Sequence, residues 1–246
     1  KKTKKKKGLT LSEKRREVAE KKQMQKAKSP TQAELDDLLA HYHNGRYDKA
    51  RQLAIPITKQ FPDYSYAWKM LGAILEQTGE QSGALKAMQK SVQLEPLDAQ
   101  ARNNLGVALQ ERGRLEEAEA SYRHAIALKP DYAEIHYNLG ATLKALARLE
   151  EAEVSYKQAI ILKSDYPEAY SNLGVILQEL ERLEEAETIG RLAITLQFNY
   201  AEAHISLGAT LQALGKLKEA EESFRQAITL DPDLAKAHNN LGITLQ

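Results

Sequence analysis

The sequence predicts an all-α protein, a solenoid of antiparallel helix pairs, and three observations predict it. The chain matches itself on a 34-residue shift: Asn104-Leu105-Gly106, Asn138-Leu139-Gly140, Asn172-Leu173-Gly174, Ser206-Leu207-Gly208 and Asn240-Leu241-Gly242 share one phase. Ala84, Ala118, Ala152, Ala186 and Ala220 share a second phase, and Met88, Tyr122, Tyr156 and Phe224 a third. A unit of this size buries its apolar face only against its neighbours, so such a period means stacking. Within each unit, apolar residues recur at positions 4, 7, 8 and 11, counting repeats from Thr31, Ser65, Ala99, Ala133, Pro167, Ala201 and Ala235. That is helical spacing. Breakers then punctuate the period twice, with Gly45, Gly79, Gly113 and Gly215 at position 15 and Pro62, Pro96, Pro130 and Pro232 at position 32.

Composition narrows the function classes. The 246 residues are 42% hydrophobic and 28% charged, as in globular proteins. Zero cysteine excludes a disulfide scaffold, thiolate metal sites and thiol catalysis. No apolar run approaches the ~20 residues of a membrane span, and a cytoplasmic location is expected. The net charge of +1 conceals a split: residues 1–30 carry thirteen Lys/Arg against three Glu, which leaves the remaining 216 at about −9. The chain lacks an initiator Met and stops inside a repeat, so it reads as a piece of something longer.

Taken in order, residues 1–28 form a basic leader, expected to be disordered to helical, and 29–246 form the array. Thr10 and Glu13 read as a capping box for a helix to about Lys26. Its few apolar residues make no convincing buried stripe, so a solvated charged linker is the plainer reading. Only through this leader is nucleic acid or acidic lipid a possible partner. Ser29 and Pro30 are expected to be N-cap and N1 of the first helix, with Gln32 closing its box. Asp131-x-x-Glu134, Asp165-x-x-Glu168 and Asn199-x-x-Glu202 are expected to cap later first helices. Pro56 falls inside a second helix, where a kink is expected.

The glycines at position 8 (Gly72, Gly106, Gly140, Gly174, Gly208 and Gly242) lie inside a helix. Each costs roughly 0.5–1 kcal/mol relative to Ala there. Close approach of the paired second helix is the expected compensation, with Ala at position 20 leaving the space and the position-24 aromatic filling the wedge between repeats. Gly190 replaces that aromatic in repeat five, which should make it the softest joint.

These phased residues, in the order large residue, Leu-Gly, aliphatic, Ala, aromatic, Ala, Pro, resemble the tetratricopeptide repeat over residues 65–246 and more loosely over 31–64. Local departures are Ser164 and Phe198 for Pro, Gly190 for the aromatic, and Ala147 and Glu181 for the turn Gly. The resemblance implies a right-handed superhelix whose first helices line a concave groove. On a helical wheel, positions 2, 6, 9 and 13 lie opposite the core side. Position 6 is Asn104, Asn138, Asn172, Ser206 and Asn240; position 9 is small and apolar, with Val107, Ala141, Val175 and Ala209. An asparagine carries donor and acceptor together and can pair with the backbone of an extended peptide. Asparagine is also a poor helix former, so its recurrence on an outward face favours a peptide-binding groove built from these nine residues over simple copying by duplication.

The asparagine row, with the Leu-Glu-Glu-Ala turns at Leu115, Leu149 and Leu183, is similar to the repeat arm of O-linked N-acetylglucosamine transferases. That resemblance implies a substrate-recruiting arm of a larger glycosyl-, sulfo- or methyltransferase as the alternative to a protein-binding scaffold. A third reading is a structural assembly scaffold that self-associates end to end through Leu241, Ile243 and Leu245. Enzyme signals within the chain fail. Gly208 to Lys216 lacks the spacing and the Ser/Thr of a phosphate loop. His136, His204 and His238 share position 4 with Trp68 and Tyr170, which reads as packing rather than metal binding. Glu116-Glu117, Glu150-Glu151 and Glu184-Glu185 read as solvated helix starts favoured by the helix dipole, not an acid/base pair. No catalytic residue, metal site or cofactor is expected.

Overall fold

The computed structural model describes residues 29–246, and the leader and its expected helix lie outside them. Among the described residues every regular element is an α-helix, thirteen in all. They are α1 Gln32–His43, α2 Tyr47–Gln60, α3 Ser65–Gln77, α4 Gln81–Leu94, α5 Ala99–Gln110, α6 Leu115–Leu128 and α7 Ala133–Ala145, followed by α8 Leu149–Leu162, α9 Pro167–Glu179, α10 Leu183–Leu196, α11 Ala201–Ala213, α12 Leu217–Leu230 and α13 Ala235–Thr244. The chain divides into two compact units, one ending at Pro96 and the other running from Leu97 to Gln246. In the first, α1 to α4 pack in succession. In the second, each of α5 to α13 packs on the next, and the first helices α5, α7, α9, α11 and α13 also touch in series.

Each pair is closed by a residue in the left-handed region, which a Cβ disfavours. Gly45, Gly79, Gly113 and Gly215 take φ of 67° to 76°, and a Cβ on any of them would meet nothing within 4 Å. Only the backbone angle selects glycine here. Ala147 and Glu181 adopt the same turn at φ 57° and 60°, so these two repeats carry the strain their neighbours avoid.

The helical glycines do permit a close approach, but to the aromatic at position 24 rather than to the alanine at position 20. A Cβ on Gly106 would sit 2.6 Å from Tyr122 Cε1, on Gly140 2.9 Å from Tyr156 Cε1, and on Gly208 2.7 Å from Phe224 Cε1. Tyr122, Tyr156 and Phe224 are consequently among the largest fully buried side chains. At Gly174, whose partner position holds Gly190, the nearest atom to such a Cβ is the Ala186 carbonyl oxygen at 3.6 Å. Leu207 of the next repeat lies over Gly190 instead, 3.3 Å from where its Cβ would be. The joint expected to be unfilled is therefore occupied from the far side.

The core holds positions 7, 8 and 11 as expected, and position 3 joins them where position 4 was expected to lead. Position 3 is buried in every repeat after the first, with Ala67, Ala101, Ile135, Ala169, Ala203 and Ala237 at 0–2% exposure. Position 4 clamps the preceding turn. Trp68 Nε1 donates to the Pro62 carbonyl at 2.8 Å, and Nε2 of His136, His204 and His238 lies 2.9 Å from the carbonyls of Pro130, Phe198 and Pro232. A carbonyl only accepts, so each of these histidines carries its proton on Nε2.

Helix starts are corrected as well. Thr31, not Ser29, caps α1, its hydroxyl accepting from the Glu34 amide while Glu34 accepts from the Thr31 amide at 2.8 Å. Tyr132, Tyr166 and Tyr200 are the N-caps of α7, α9 and α11, with no side-chain cap bond, so Asp131, Asp165 and Asn199 do not cap them. Asp98 does cap α5, accepting from Ala101 N at 3.0 Å. Through Pro56, α2 runs unbroken, one backbone donor short.

Charge ties the second helices together. Arg148 bridges Glu151 of its own repeat at 2.7 Å and Glu119 of the preceding one at 2.6 Å. Arg182 joins Glu185 and Glu153 in the same way, and Lys216 reaches back to Glu187. Arg123 and Arg191 run the opposite way, to Glu151 and Glu219 of the following repeats. Glu117, Glu151 and Glu185, read from sequence as solvated helix starts, are members of these pairs.

Candidate functional site

The expected groove residues come together on consecutive first helices of the second unit. Asn104 lies on α5, Asn138 on α7, Asn172 on α9, Ser206 on α11 and Asn240 on α13. All five are half-buried, as are Val107, Ala141, Val175 and Ala209 one helical turn further on.

The asparagines are not all free on that face. Asn138 Nδ2 donates to Asn103 Oδ1 of the preceding repeat at 3.1 Å, and Asn172 Nδ2 donates to the Tyr137 hydroxyl at 3.0 Å. Asn104 Oδ1 accepts from Gln100 Nε2 at 3.0 Å on its own helix. Each bond consumes one hydrogen or one lone pair. An amide offers two N–H donors and a two-lone-pair carbonyl, so Asn138 and Asn172 keep Oδ1 and one N–H, and Asn104 keeps its NH2. The row both holds neighbouring repeats in register and presents polar atoms outward.

Beside it runs a tyrosine row that the wheel argument missed. The Tyr132 hydroxyl donates to Gln100 Oε1 at 2.8 Å. The rings of Tyr137 and Tyr166 lie 5.0 Å apart, and Tyr137 meets buried Tyr156 edge-on at 5.7 Å. Lys129 Nζ sits 4.6 Å above the Tyr132 ring and Lys163 Nζ 4.5 Å above Tyr166. Burial raises the phenols of Tyr132, Tyr137 and Tyr166, and nearby carboxylates add to it. Tyr200 is pushed up to about 12 by burial, then by Tyr137, Glu202 and Glu168. All four therefore remain hydrogen-bond donors at neutral pH. The sequence carried a signal for three of them, since Tyr132, Tyr166 and Tyr200 recur at the repeat period.

Position 2 completes the face with Glu134 and Glu202, both exposed, and half-buried Glu168 between them. Asn103, itself buried, donates to Glu134 Oε1 at 3.3 Å. A separate open groove of about 460 Å³ lies between α10 and α12, lined by Ile194, Phe198, His204 and Leu207 among others. Among the described residues no group of three or more His, Asp or Glu is placed to hold a metal, and no helix is long and apolar enough to cross a membrane. The face offers amide, hydroxyl and carboxylate groups over small apolar residues.

Stacked helix pairs with such a face define a helical-repeat protein of the kind that presents one wall of first helices. Family models described as TPR repeat match residues 109–147 and 143–181, and others described as tetratricopeptide repeat match 36–95, 87–120, 168–197 and 201–234. The chain belongs to the tetratricopeptide repeat family. No curated protein sequence matches it. Among solved structures it is similar to pilF of Pseudomonas aeruginosa, with TM-score 0.76 and 17% identity over 86% of this chain and 96% of that one. YrrB, described as a TPR protein with an unusual peptide-binding site, gives TM-score 0.62 and 20% identity over 76% of this chain and 96% of its own. A chain of the APC/C Cut9–Hcn1 hetero-tetramer gives TM-score 0.73 and 16% identity, with 84% of this chain covering 41% of that one. At these identities the likeness is one of fold.

Proposed function

We propose that the asparagine–tyrosine face of α5, α7, α9 and α11 binds polypeptide in extended form, making the protein a peptide-binding scaffold. The observation that carries this is the recurrence, one helix after another, of half-buried asparagines with unused amide atoms beside small apolar residues. An extended backbone offers N–H and C=O groups at regular intervals, and paired amide atoms satisfy both without reading side chains. The peptide-binding site described for YrrB supports the reading by analogy. A substrate-recruiting arm of a larger transferase is the second reading, favoured by position 6 being asparagine in α5, α7, α9 and α13. A cytoplasmic setting fits the cysteine-free composition.

The test compares wild type with the Asn104→Ala/Asn138→Ala/Asn172→Ala variant in pull-down of unstructured polypeptides. Each net hydrogen bond contributes ~0.5–1.5 kcal/mol, so losing three weakens binding by about one to three orders of magnitude. Melting should stay close to wild type, because losing two inter-repeat bonds is offset by the better helix propensity of alanine. Equal binding by both proteins refutes the site. Lost binding with a collapsed melting temperature shows that the row is structural only.

A further inference from the structure

Resting on that reading, we infer that the polypeptide this face takes is cationic, a partner segment with Lys or Arg at about every third residue. The inference comes from how the charges on the second unit are disposed. On the second helices, the carboxylates at positions 19 and 21 are neutralised internally: Glu117, Glu119, Glu151, Glu153, Glu185, Glu187 and Glu219 each meet an Arg or Lys. On the first-helix face Glu179, at position 13, still pairs with Lys144 of the preceding repeat at 3.6 Å, but the carboxylates at position 2 do not follow the pattern. Glu134, Glu168 and Glu202 recur one on each of α7, α9 and α11, and none has a cation within ion-pair distance among the described residues. The contact that is made, from Asn103 to Glu134, is neutral and leaves the charge uncompensated.

The aromatic half of the face has the same polarity. Tyr132, Tyr166 and Tyr200 immediately precede those three helices, and two of the rings already hold an ammonium group, from Lys129 and Lys163, over one face. Ring faces carry the negative lobe of the quadrupole, so the ring faces left open and the carboxylates reinforce one potential, which Lys129 and Lys163 offset only in part. An anionic segment laid along the asparagines would meet three unpaired like charges. A neutral one would leave them unused.

Spacing follows from the stack. Packed helices lie about 8–10 Å apart, and an extended chain advances about 3.3 Å per residue. Consecutive position-2 carboxylates on α7, α9 and α11 thus fall about three residues apart along a bound peptide. Backbone contacts to the asparagines hold such a peptide, and the carboxylate row selects the register of its basic side chains.

The test uses the full chain and three fluorescent nine-residue peptides in an anisotropy titration at low salt. One has Lys at every third residue, the second has the same composition with its lysines adjacent, and the third has Glu in place of Lys. The spaced peptide should bind most tightly, the clustered isomer more weakly, and the Glu peptide least. In Glu134→Gln/Glu168→Gln/Glu202→Gln, the new amide oxygen at position 134 can still accept from Asn103. There the spaced peptide should lose about tenfold in affinity, as for three ion pairs at a surface. The preference for spacing should vanish with it. Added salt should erase the same difference. If all three peptides bind wild type alike, or the Gln variant binds as wild type does, the charge inference is overturned while the groove stands. If none binds and the triple Asn→Ala variant pulls down polypeptide as wild type does, the groove reading itself fails. If the spaced peptide binds only after residues 1–28 are removed, the basic leader is the occupant, and the inference of a separate partner is overturned.

Discussion

Adding one methyl group to two glycines at the same repeat position should move stability in opposite directions. In Gly106→Ala the new Cβ falls 2.6 Å from Tyr122 Cε1 and 2.8 Å from two further ring atoms. Tyr122 is fully buried and its hydroxyl is tied to Gln110 Oε1 at 3.1 Å, so the ring has nowhere to retreat. Overpacking of this kind costs typically ~1–3 kcal/mol. The gain in helix propensity from Gly to Ala returns only ~1 kcal/mol, so the net is a loss of up to ~2 kcal/mol. In Gly174→Ala the nearest neighbour is the Ala186 carbonyl oxygen at 3.6 Å, an ordinary contact. There the propensity gain stands almost alone, about 0.5–1 kcal/mol of added stability. Urea unfolding followed by circular dichroism reads both. Repeat arrays need not unfold in one step, so the midpoint shift of the full chain is the quantity to compare. Shortening the ring should relieve the clash, and in a Tyr122→Leu background Gly106→Ala should become neutral or stabilising. Shifts of the same sign for both glycines, or no relief by Tyr122→Leu, would refute the pairing of position 8 with position 24.

The turns allow a second test: Ala147→Gly and Glu181→Gly should each stabilise by ~0.5–1 kcal/mol, because φ near +60° suits glycine, and Gly113→Ala should cost a similar amount; thermal melts check all three. The inter-repeat ion pairs predict a loss of stability in acid. At Glu153 burial alone would raise the carboxyl, but Lys157 and Arg182 hold it below its ordinary value, and at Glu187 Lys216 does so against burial with help from Arg191. A depressed carboxyl in the folded state contributes stability above its unfolded pKa and loses it as pH falls through the folded value. Melting temperature should therefore fall below about pH 4.5, near the unperturbed carboxylate value, and Arg182→Gln should shrink that fall; an unchanged acid limb in the variant counts against the staple.

The period, the helix pairs and the turn glycines were legible in the sequence because each follows from local chemistry repeated at a fixed interval. Local patterning ran out where a contact spans repeats. The bond from Asn138 to Asn103 joins residues 35 apart and the pair Arg182–Glu153 residues 29 apart, so neither registers in a helical wheel drawn on one helix. Position 4 packs as expected, with His204 buried and Trp68 against the core of the first unit, but its hydrogen bond was hidden for a related reason. Trp68, Tyr170 and the histidines read as packing residues by size, and size says nothing of the ring N–H that three histidines and Trp68 give to a carbonyl six residues back. Capping boxes at Asp131 and Asp165 matched the spacing rule, but the helices start one residue later, at tyrosines whose rings belong to the first-helix face. Glycine at position 8 was correctly tied to a close approach; which residue approaches was decided by the reach of the aromatic ring, a three-dimensional fact.

The central claim is that polypeptide lies along the face carrying Asn104, Asn138 and Asn172. Side-chain amide signals of these asparagines, assigned by nuclear magnetic resonance and followed while an unstructured polypeptide is titrated in, test it most directly. The account predicts saturable shifts of all three Nδ2 signals with a common midpoint, while residues lining the separate groove at Phe198 and Leu207 stay in place. Unmoved asparagine signals with binding otherwise evident, or shifts centred on Phe198 and Leu207 instead, would contradict it.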